Sequence, residues 1–268
     1  MISVQIYLCF PGGKHKALTM SYDDGKIQDR RLVSIFNRYG IKGTFHINSG
    51  LLGQPERIPA EEIKELYEGH EVSAHTCTHP TIARCPKEQV VQELYNDRVN
   101  LENIVGYPVR GLSYPNGSHN RQIRELLPGL GYEYARTVEE TGDFGLPEDF
   151  FRWKATCHHN RRLMELGEKF INLHKKQYLY LMYVWGHSYE FDNDNNWDLI
   201  ENFCRMTGNR DDIWYATNIE IVDYLKSYEL LRFSASFKFV ENPLAHSVWL
   251  SVGGEIVEVK DGTRVNLG

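Results

Sequence analysis

The sequence predicts an α/β fold in which helices cover a parallel sheet, closed into a barrel or left open. Three observations lead there. Candidate strands and helices alternate about seven times before residue 229, with short connections. The polar clusters Asp23-Asp24-Gly25, His75-Thr76-Cys77-Thr78-His79, Tyr114-Pro115-Asn116-Gly117 and the stretch from Trp185 to Asp192 each sit at the end of a candidate strand. The C-terminal ends of parallel strands are where such folds gather their sites. From residue 229 the texture changes to short runs of β-forming residues separated by Gly-Gly and Asp-Gly, which reads as a small antiparallel extension.

Residues 17–25 read ALTMSYDDG, with Leu18, Met20 and Tyr22 alternating as in a strand. If the strand runs through the carboxylates, Asp23 and Asp24 point to opposite sides, so one can hold a metal while the other handles a proton. Asp-Gly is equally a turn dipeptide. Residues 28–39 carry Leu32, Ile35 and Phe36 at helical spacing and stop at Gly40; 43–48 form a second strand. Pro59 suits the first turn of a helix bearing Ile63, Leu66 and Tyr67. Residues 71–74 form a third strand, and 89–105 an amphipathic helix with Val90, Leu94, Val99 and Leu101, ending at Gly106.

Strands are expected at 109–114, 132–137, 150–158, 177–185 and 212–217, and helices at 120–127, 161–173, 197–207 and 219–228, with a loop at 142–149. Beyond them, 233–239, 247–252 and 255–265 read as successive strands. The expected division is a main domain over 1–228 and a β-rich extension over 229–268. The extension could pack on the main domain, make a homo-oligomer contact or offer an accessory binding surface.

The 268 residues suffice for one large domain with an appendage. A formal net charge of -6, with no basic tract, gives nucleic-acid binding no support. The first sixteen residues lack the basic region and apolar length of a signal peptide or membrane span. Five scattered cysteines without a CxxC pair fit a reducing compartment. The expectation is a cytoplasmic protein without membrane attachment, a trimmed secreted chain being the alternative. The 16 tyrosines and 5 tryptophans suit a sugar-binding groove or a packed core.

His75 and His79, four apart, would face the same way on a helical turn and so converge on one metal. Cys77 would then point about 200° away from His75, as a structural residue. With a carboxylate from another strand end, the set becomes His, His, Asp plus water, a common catalytic zinc arrangement.

In order, Ser21-Tyr22-Asp23-Asp24-Gly25, the histidine pair, Tyr114-Pro115-Asn116-Gly117 and the late His187 resemble the motifs of the polysaccharide deacetylase (NodB-homology) group, carbohydrate esterase family 4. The resemblance runs from about residue 16 to 228. It implies a distorted (β/α) barrel. It further implies Asp23 as general base, Asp24, His75 and His79 as ligands of a divalent metal (zinc first, cobalt or nickel as alternatives), and His187 as general acid. The Tyr114–Gly117 loop would line the groove, and the backbone N–H of Asn116 or Tyr114 would help hold the oxyanion. The implied reaction is hydrolysis of an N-acetyl or O-acetyl group on a carbohydrate, with an acetylated sugar or a small amide as partner molecule.

Several positions depart from the family pattern. Its base-orienting arginine falls at Ser113, which leaves Arg110 and Arg152 as candidates for that role. Asn116 replaces the loop tyrosine, and Arg152-Trp153 only echoes an Asp-Trp motif. Trp185 and Trp153 could stack on a sugar ring or pack in the core. His187 could simply bond Glu190 or Asp192, or be oriented by one of them, which would raise its pKa. His46, His119 and His174 stay in the background, while His158-His159 could line the groove or add a metal contact. Competing readings are a hydrolase of a small or cyclic amide, a catalytically silent carbohydrate-binding relative, and a purely structural α/β protein.

Overall fold

The computed structural model describes residues 5–268 of the chain. Strand β1 (Ile6–Cys9) leads into β2 (Lys16–Asp23), α1 (Asp29–Arg38), β3 (Gly43–Ile47), α2 (Ala60–Leu66), β4 (Glu71–Ala74), α3 (Lys87–Val105), β5 (Gly111–Ser113), α4 (Arg121–Leu126) and β6 (Tyr134–Glu140). There follow β7 (Trp153–Ala155), β8 (Cys157–His158), α5 (Leu163–Ile171), β9 (Tyr180–Gly186), α6 (Glu190–Asn193), α7 (Trp197–Thr207), β10 (Ile213–Tyr215) and α8 (Asn218–Glu229). The chain ends in β11 (Arg232–Phe233), β12 (Phe239–Glu241), β13 (Val248–Val252), β14 (Glu255–Val259) and β15 (Arg264–Asn266).

The main sheet is parallel throughout, in the order β7-β6-β5-β4-β3-β2-β9-β8. Its two edge strands are one run of chain interrupted at Thr156. That run pairs with β6 through its first half and with β9 through its second, so it closes the sheet into a distorted barrel. The Thr156 N–H donates to the Tyr183 carbonyl at 2.8 Å, and its Oγ1 accepts the Tyr183 N–H at 3.0 Å. The seam is thereby hydrogen-bonded and leaves no open edge there. β10 pairs with the start of β2, beside the edge that β3 takes further along.

Side chains alternate across this ring as strand geometry requires. Leu18, Met20 and Tyr22 of β2, Phe45 and Ile47 of β3, Leu112 of β5, and Met182 and Val184 of β9 point outward into one apolar layer under the helices. Leu32, Val33, Ile35 and Phe36 of α1 and Val90, Leu94, Leu101 and Val105 of α3 fill that layer from the other side. The inward positions are mixed. Ala17, Tyr134, Trp153, Leu181, Tyr183 and Trp185 form an inner cluster that continues through Phe10 and Tyr224 to Val240, Val248 and Leu250 of the C-terminal strands. Near the strand ends the inward residues become polar: Ser21, Asp23, His46, Ser73, His75, Ser113 and Arg136, all buried.

β13 pairs antiparallel with both β1 and β14, so the chain's first described strand belongs to the same sheet as the C-terminal strands. The C-terminal strands join the barrel beside the start of β2, the end opposite Asp23. Two expected strands are in fact each broken by a turn, the first into the hairpin β11–β12 and the second into β14, which pairs with β13, and β15, which pairs with β12. Residues 233–239 turn at Ser234, whose Oγ accepts the Phe239 N–H at 3.2 Å, with Phe237 left-handed at φ 55°. Residues 255–265 break at Asp261-Gly262 between β14 and β15, Gly262 having φ 62°. No helix among the described residues is long and apolar enough to cross a membrane.

Candidate active site

β2 ends at Asp23, and Asp24 opens the turn with φ 84°. Strand and turn readings of this stretch are therefore each half right: Asp23 is the last inward residue of the strand, while Asp24 is aimed by a left-handed backbone. Such a conformation is costly for a non-glycine residue and persists only where neighbours hold it. Arg57 does so here, its Nη1 donating to the Asp24 carbonyl while lying 3.5 Å from Asp24 Oδ1.

The segment from His75 to His79 is not the expected helical turn. Thr76 (φ 62°) and His79 (φ 61°) are left-handed and the chain forms an irregular loop. Its backbone groups are satisfied from outside. Asp97 of α3 accepts the N–H groups of Ser49 and His75 at 2.8 and 2.9 Å, and burial pushes its carboxyl up to about 7. Glu93 accepts the Thr78 N–H and hydroxyl at 2.8 and 2.6 Å, and Asn48 Nδ2 donates to the carbonyls of His75 and Thr76. With hydrogen bonds supplied this way the loop needs no helical ladder. Cys77 lies away from the site, against Gly50 and Ser49.

The two imidazoles still converge. His75 Nε2 and His79 Nε2 lie 3.9 and 3.7 Å from Asp24 Oδ1, with ring centroids 4.8 Å apart. The His75 Nδ1–H points to the Ser113 carbonyl at 2.8 Å and to Ser113 Oγ at 2.6 Å, which leaves Nε2 with its lone pair toward Asp24. Burial holds His75 down to about 4, so it is neutral at pH 7. Asp24 Oδ1 is buried without a hydrogen-bond partner, between two imidazole nitrogens. A divalent cation satisfies such an oxygen, and His, His and Asp are a donor set that suits zinc.

Asp23 is held by different partners. Ser113 Oγ–H donates to its Oδ1 at 2.9 Å, and Arg136 Nη2 donates to Oδ2 in a fully buried ion pair. Burial opposes its charge, but Arg136 above all, then His75, His46 and His187, outweigh it and hold the carboxyl far below the ordinary range. Arg136 therefore takes the orienting role expected of Arg110 or Arg152. Arg110 is engaged at the other end of the barrel with Glu133 and Asp223, and Arg152 is half-exposed and paired with Glu139. Arg136 is the inward residue after Tyr134 on β6, and its guanidinium lies over the Trp185 ring at 4.5 Å. Below them His46 bridges Ser21 Oγ (2.9 Å) and the Ala74 carbonyl (3.2 Å).

His187 and Glu190 lie where β9 passes into α6. His187 Nδ1 lies 3.4 Å from Glu190 Oε2, which also accepts the His187 N–H at 3.1 Å. Burial disfavours the imidazolium, yet the nearby Glu190 carboxylate and the charges of Asp23 and Asp24 raise its pKa above the ordinary value. Asp192 takes no part: it accepts from Trp197 and Gln28. His158 and His159, the pair expected to line the groove or add a metal contact, approach Glu190 as well, a convergence of three histidines on one carboxylate that the sequence does not signal.

The Tyr114–Gly117 loop stands beside this centre, with Asn116 left-handed at φ 57°. The Tyr114 N–H donates to the Arg136 carbonyl at 3.0 Å and is unavailable to an oxyanion, which leaves that of Asn116. Pro115 is buried, and a Cβ at Gly117 would run into Val138, so the loop packs closely on the end of β6. Trp153 is core, edge-on to Tyr134, Phe150 and Tyr183. Trp185, 8% exposed, packs against Arg136 and His158 and has little face left for a sugar.

Residues 11–135 match the sequence model of the polysaccharide deacetylase family. The match ends one residue before Arg136 and well before His187. The chain is 27% identical over 120 residues to peptidoglycan-N-acetylglucosamine deacetylase PgdA of Listeria monocytogenes, covering 42% of this chain and 24% of that one. It is also 27% identical over 114 residues to chitin deacetylase 1 of Cryptococcus neoformans var. grubii, covering 42% and 23%. The chain thus spans about a quarter of the length of these curated relatives. Among solved structures, a candidate polysaccharide deacetylase from Mycobacterium smegmatis superimposes with a TM-score of 0.61 at 15% identity, over 83% of this chain and 94% of that one. At that identity the likeness is one of fold.

Proposed function

We propose that this chain, whose residues 11–135 match the sequence model of the polysaccharide deacetylase family, is a metal-dependent hydrolase that removes an acetyl group from an N-acetylated carbohydrate. The observation that carries the proposal is the division of labour between adjacent carboxylates. Asp24 Oδ1 faces two imidazole nitrogens with no hydrogen bond of its own, whereas both oxygens of Asp23 are fixed by Ser113 and Arg136. Asp24, His75 and His79 would hold the metal, which when bound polarises the amide carbonyl and acidifies water.

Asp23, kept ionised, accepts the proton of the attacking water. Arg136 and Ser113 fix the direction in which it does so. With the Tyr114 N–H engaged, the Asn116 N–H is the loop donor left to share the developing oxyanion charge. An amine leaves poorly unless protonated, and His187, with Glu190 favouring its charged form, supplies that proton. The relatives named for peptidoglycan N-acetylglucosamine and for chitin make an N-acetylated hexosamine the first substrate to try.

The test is acetate release from N-acetylglucosamine oligomers, run alongside metal analysis of the purified protein. Asp24→Ala should lose metal and activity together. Asp23→Asn should retain the metal and lose turnover by about 10²–10⁴-fold, the range of a general base. His187→Ala should slow turnover by a similar factor with the metal in place. An Asp23→Asn protein with full activity would overturn the mechanism.

A further inference from the structure

From the geometry around Glu190 we infer that this chain has a second divalent-metal site, formed by His158, His159 and Glu190 and lying beside the deacetylase centre. The three residues reach the same point from two elements: His158 and His159 from the end of β8, Glu190 from the start of α6. Glu190 Oε2 is 3.1 Å from His158 Nε2 and 3.2 Å from His159 Nε2. Two ligand atoms on a tetrahedral zinc lie about 3.3 Å apart for bonds of 2.0–2.1 Å, so these spacings are those of one coordination shell. The three ligand atoms all fall within 4.8 Å of one another, as they do at Asp24, His75 and His79.

A second observation points to a ligand there. His159 is fully buried, yet neither of its ring nitrogens has a hydrogen-bond partner. The ring is clamped, stacked on Tyr22 and on Phe191, and a Cβ at Gly186 would collide with it, so it cannot turn to find a partner. An unpartnered buried imidazole is uncommon because it forfeits its hydration without return. His, His and carboxylate with an open fourth position is a donor set that takes Zn²⁺ or Co²⁺.

This site should be the weaker of the two. His158 Nδ1 accepts the Asn160 N–H at 3.2 Å, so with no metal bound its proton sits on Nε2, toward Glu190. Binding must move that proton to Nδ1 and give up the Asn160 contact, a loss of about tenfold in affinity. Glu190 is also the carboxylate beside His187. Where the deacetylase reading holds, filling this site draws Glu190 off His187, so excess metal inhibits.

Equilibrium dialysis of the metal-stripped chain against Zn²⁺, with metal counted per folded chain, tests this. The wild type should bind two ions, Asp24→Ala one, His158→Ala one, and the double variant none. With Co²⁺, the ion retained by Asp24→Ala should show the visible absorption of a tetrahedral site. One ion in the wild type that vanishes in Asp24→Ala and persists in His158→Ala would overturn the second site and leave the deacetylase centre standing. One ion that persists in Asp24→Ala and vanishes in His158→Ala would support the second site while refuting the first. Circular dichroism melts confirm folding. His158→Gln, which keeps a polar side chain, repeats the test should the alanine variant fail to fold, and two ions bound by it would count against the proposal.

Discussion

Along β2 the outward residues Leu18, Met20 and Tyr22 meet helices in an apolar layer, whereas the inward residues Thr19, Ser21 and Asp23 meet polar side chains from the start of α8 and from other strands. The same contrast runs round the barrel: Phe45 against His46, Ala74 against His75, Leu112 against Ser113, Ala135 against Arg136. An outward side chain needs only volume and hydrophobicity, and many neighbours can supply them. An inward one needs a particular donor or acceptor at a particular distance, because a buried polar group left unpaired is expensive. One strand therefore carries the fold on one face and the chemistry on the other, and substitutions on the two faces should fail in different ways.

The largest effect should come from Arg136→Met. It preserves volume but leaves Asp23 as an uncompensated buried charge, which should cost about 3–5 kcal/mol in urea melts and abolish measurable turnover. Adding Asp23→Asn should restore much of the stability and none of the activity. A single variant as stable and active as the wild type would break the contrast. On the outward face, Leu18→Ala should cost about 2–5 kcal/mol through the cavity it leaves. Its turnover per folded molecule, assayed well below its melting temperature, should match that of the wild type. A loss of kcat there would mean that the outward layer positions the base.

The outward face was legible because period-two and helical spacing encode it directly: each main strand and helix of residues 16–229 falls within a few residues of its expected place. Asp23, Asp24, His75 and His79 were legible because local motifs carry them. The orienting arginine was not. Its pairing with Asp23 depends on the register of the five strands from β2 to β6 and joins residues 113 apart in the chain. A signal was nonetheless present, since Arg136 occupies the inward phase of the strand that begins at Tyr134, and an arginine facing a barrel interior needs a buried partner. Asp97 and Glu93 left a similar trace as acidic residues on the buried face of α3. The left-handed residues at Asp24, Thr76 and His79 left none, because outside support rather than residue type determines them.

Ser113→Ala should have a smaller effect. The hydroxyl donates one hydrogen bond to Asp23 and lies beside the His75 Nδ1–H, so its removal should cost about 1 kcal/mol and lower kcat/KM by about tenfold. Arg136 still holds the other oxygen of Asp23, and the Ser113 carbonyl still accepts from His75. A loss as large as that of Arg136→Met would mean that the hydroxyl, and not the guanidinium, aims the base.

The smallest change is expected at the rim, where β9 gives way to α6 and the inward–outward alternation ends. The charged form of His187 is the one that can protonate a leaving amine, so activity should fall as pH rises through its pKa. That pKa is raised because, against the effect of burial, Glu190 Oε2 lies 3.4 Å from the ring Nδ1 and stands with Asp23 and Asp24 as nearby negative charge. Glu190→Gln keeps the shape and removes one charge, so the imidazolium loses stabilisation and the alkaline limb of kcat/KM should move to lower pH. The acid limb should stay, since Glu190 is no part of the Asp23–Arg136–Ser113 network. With metal held at one equivalent, an alkaline limb that does not move would show that Glu190 only packs against His187 and that the acid's proton is held from the barrel interior, by Asp23.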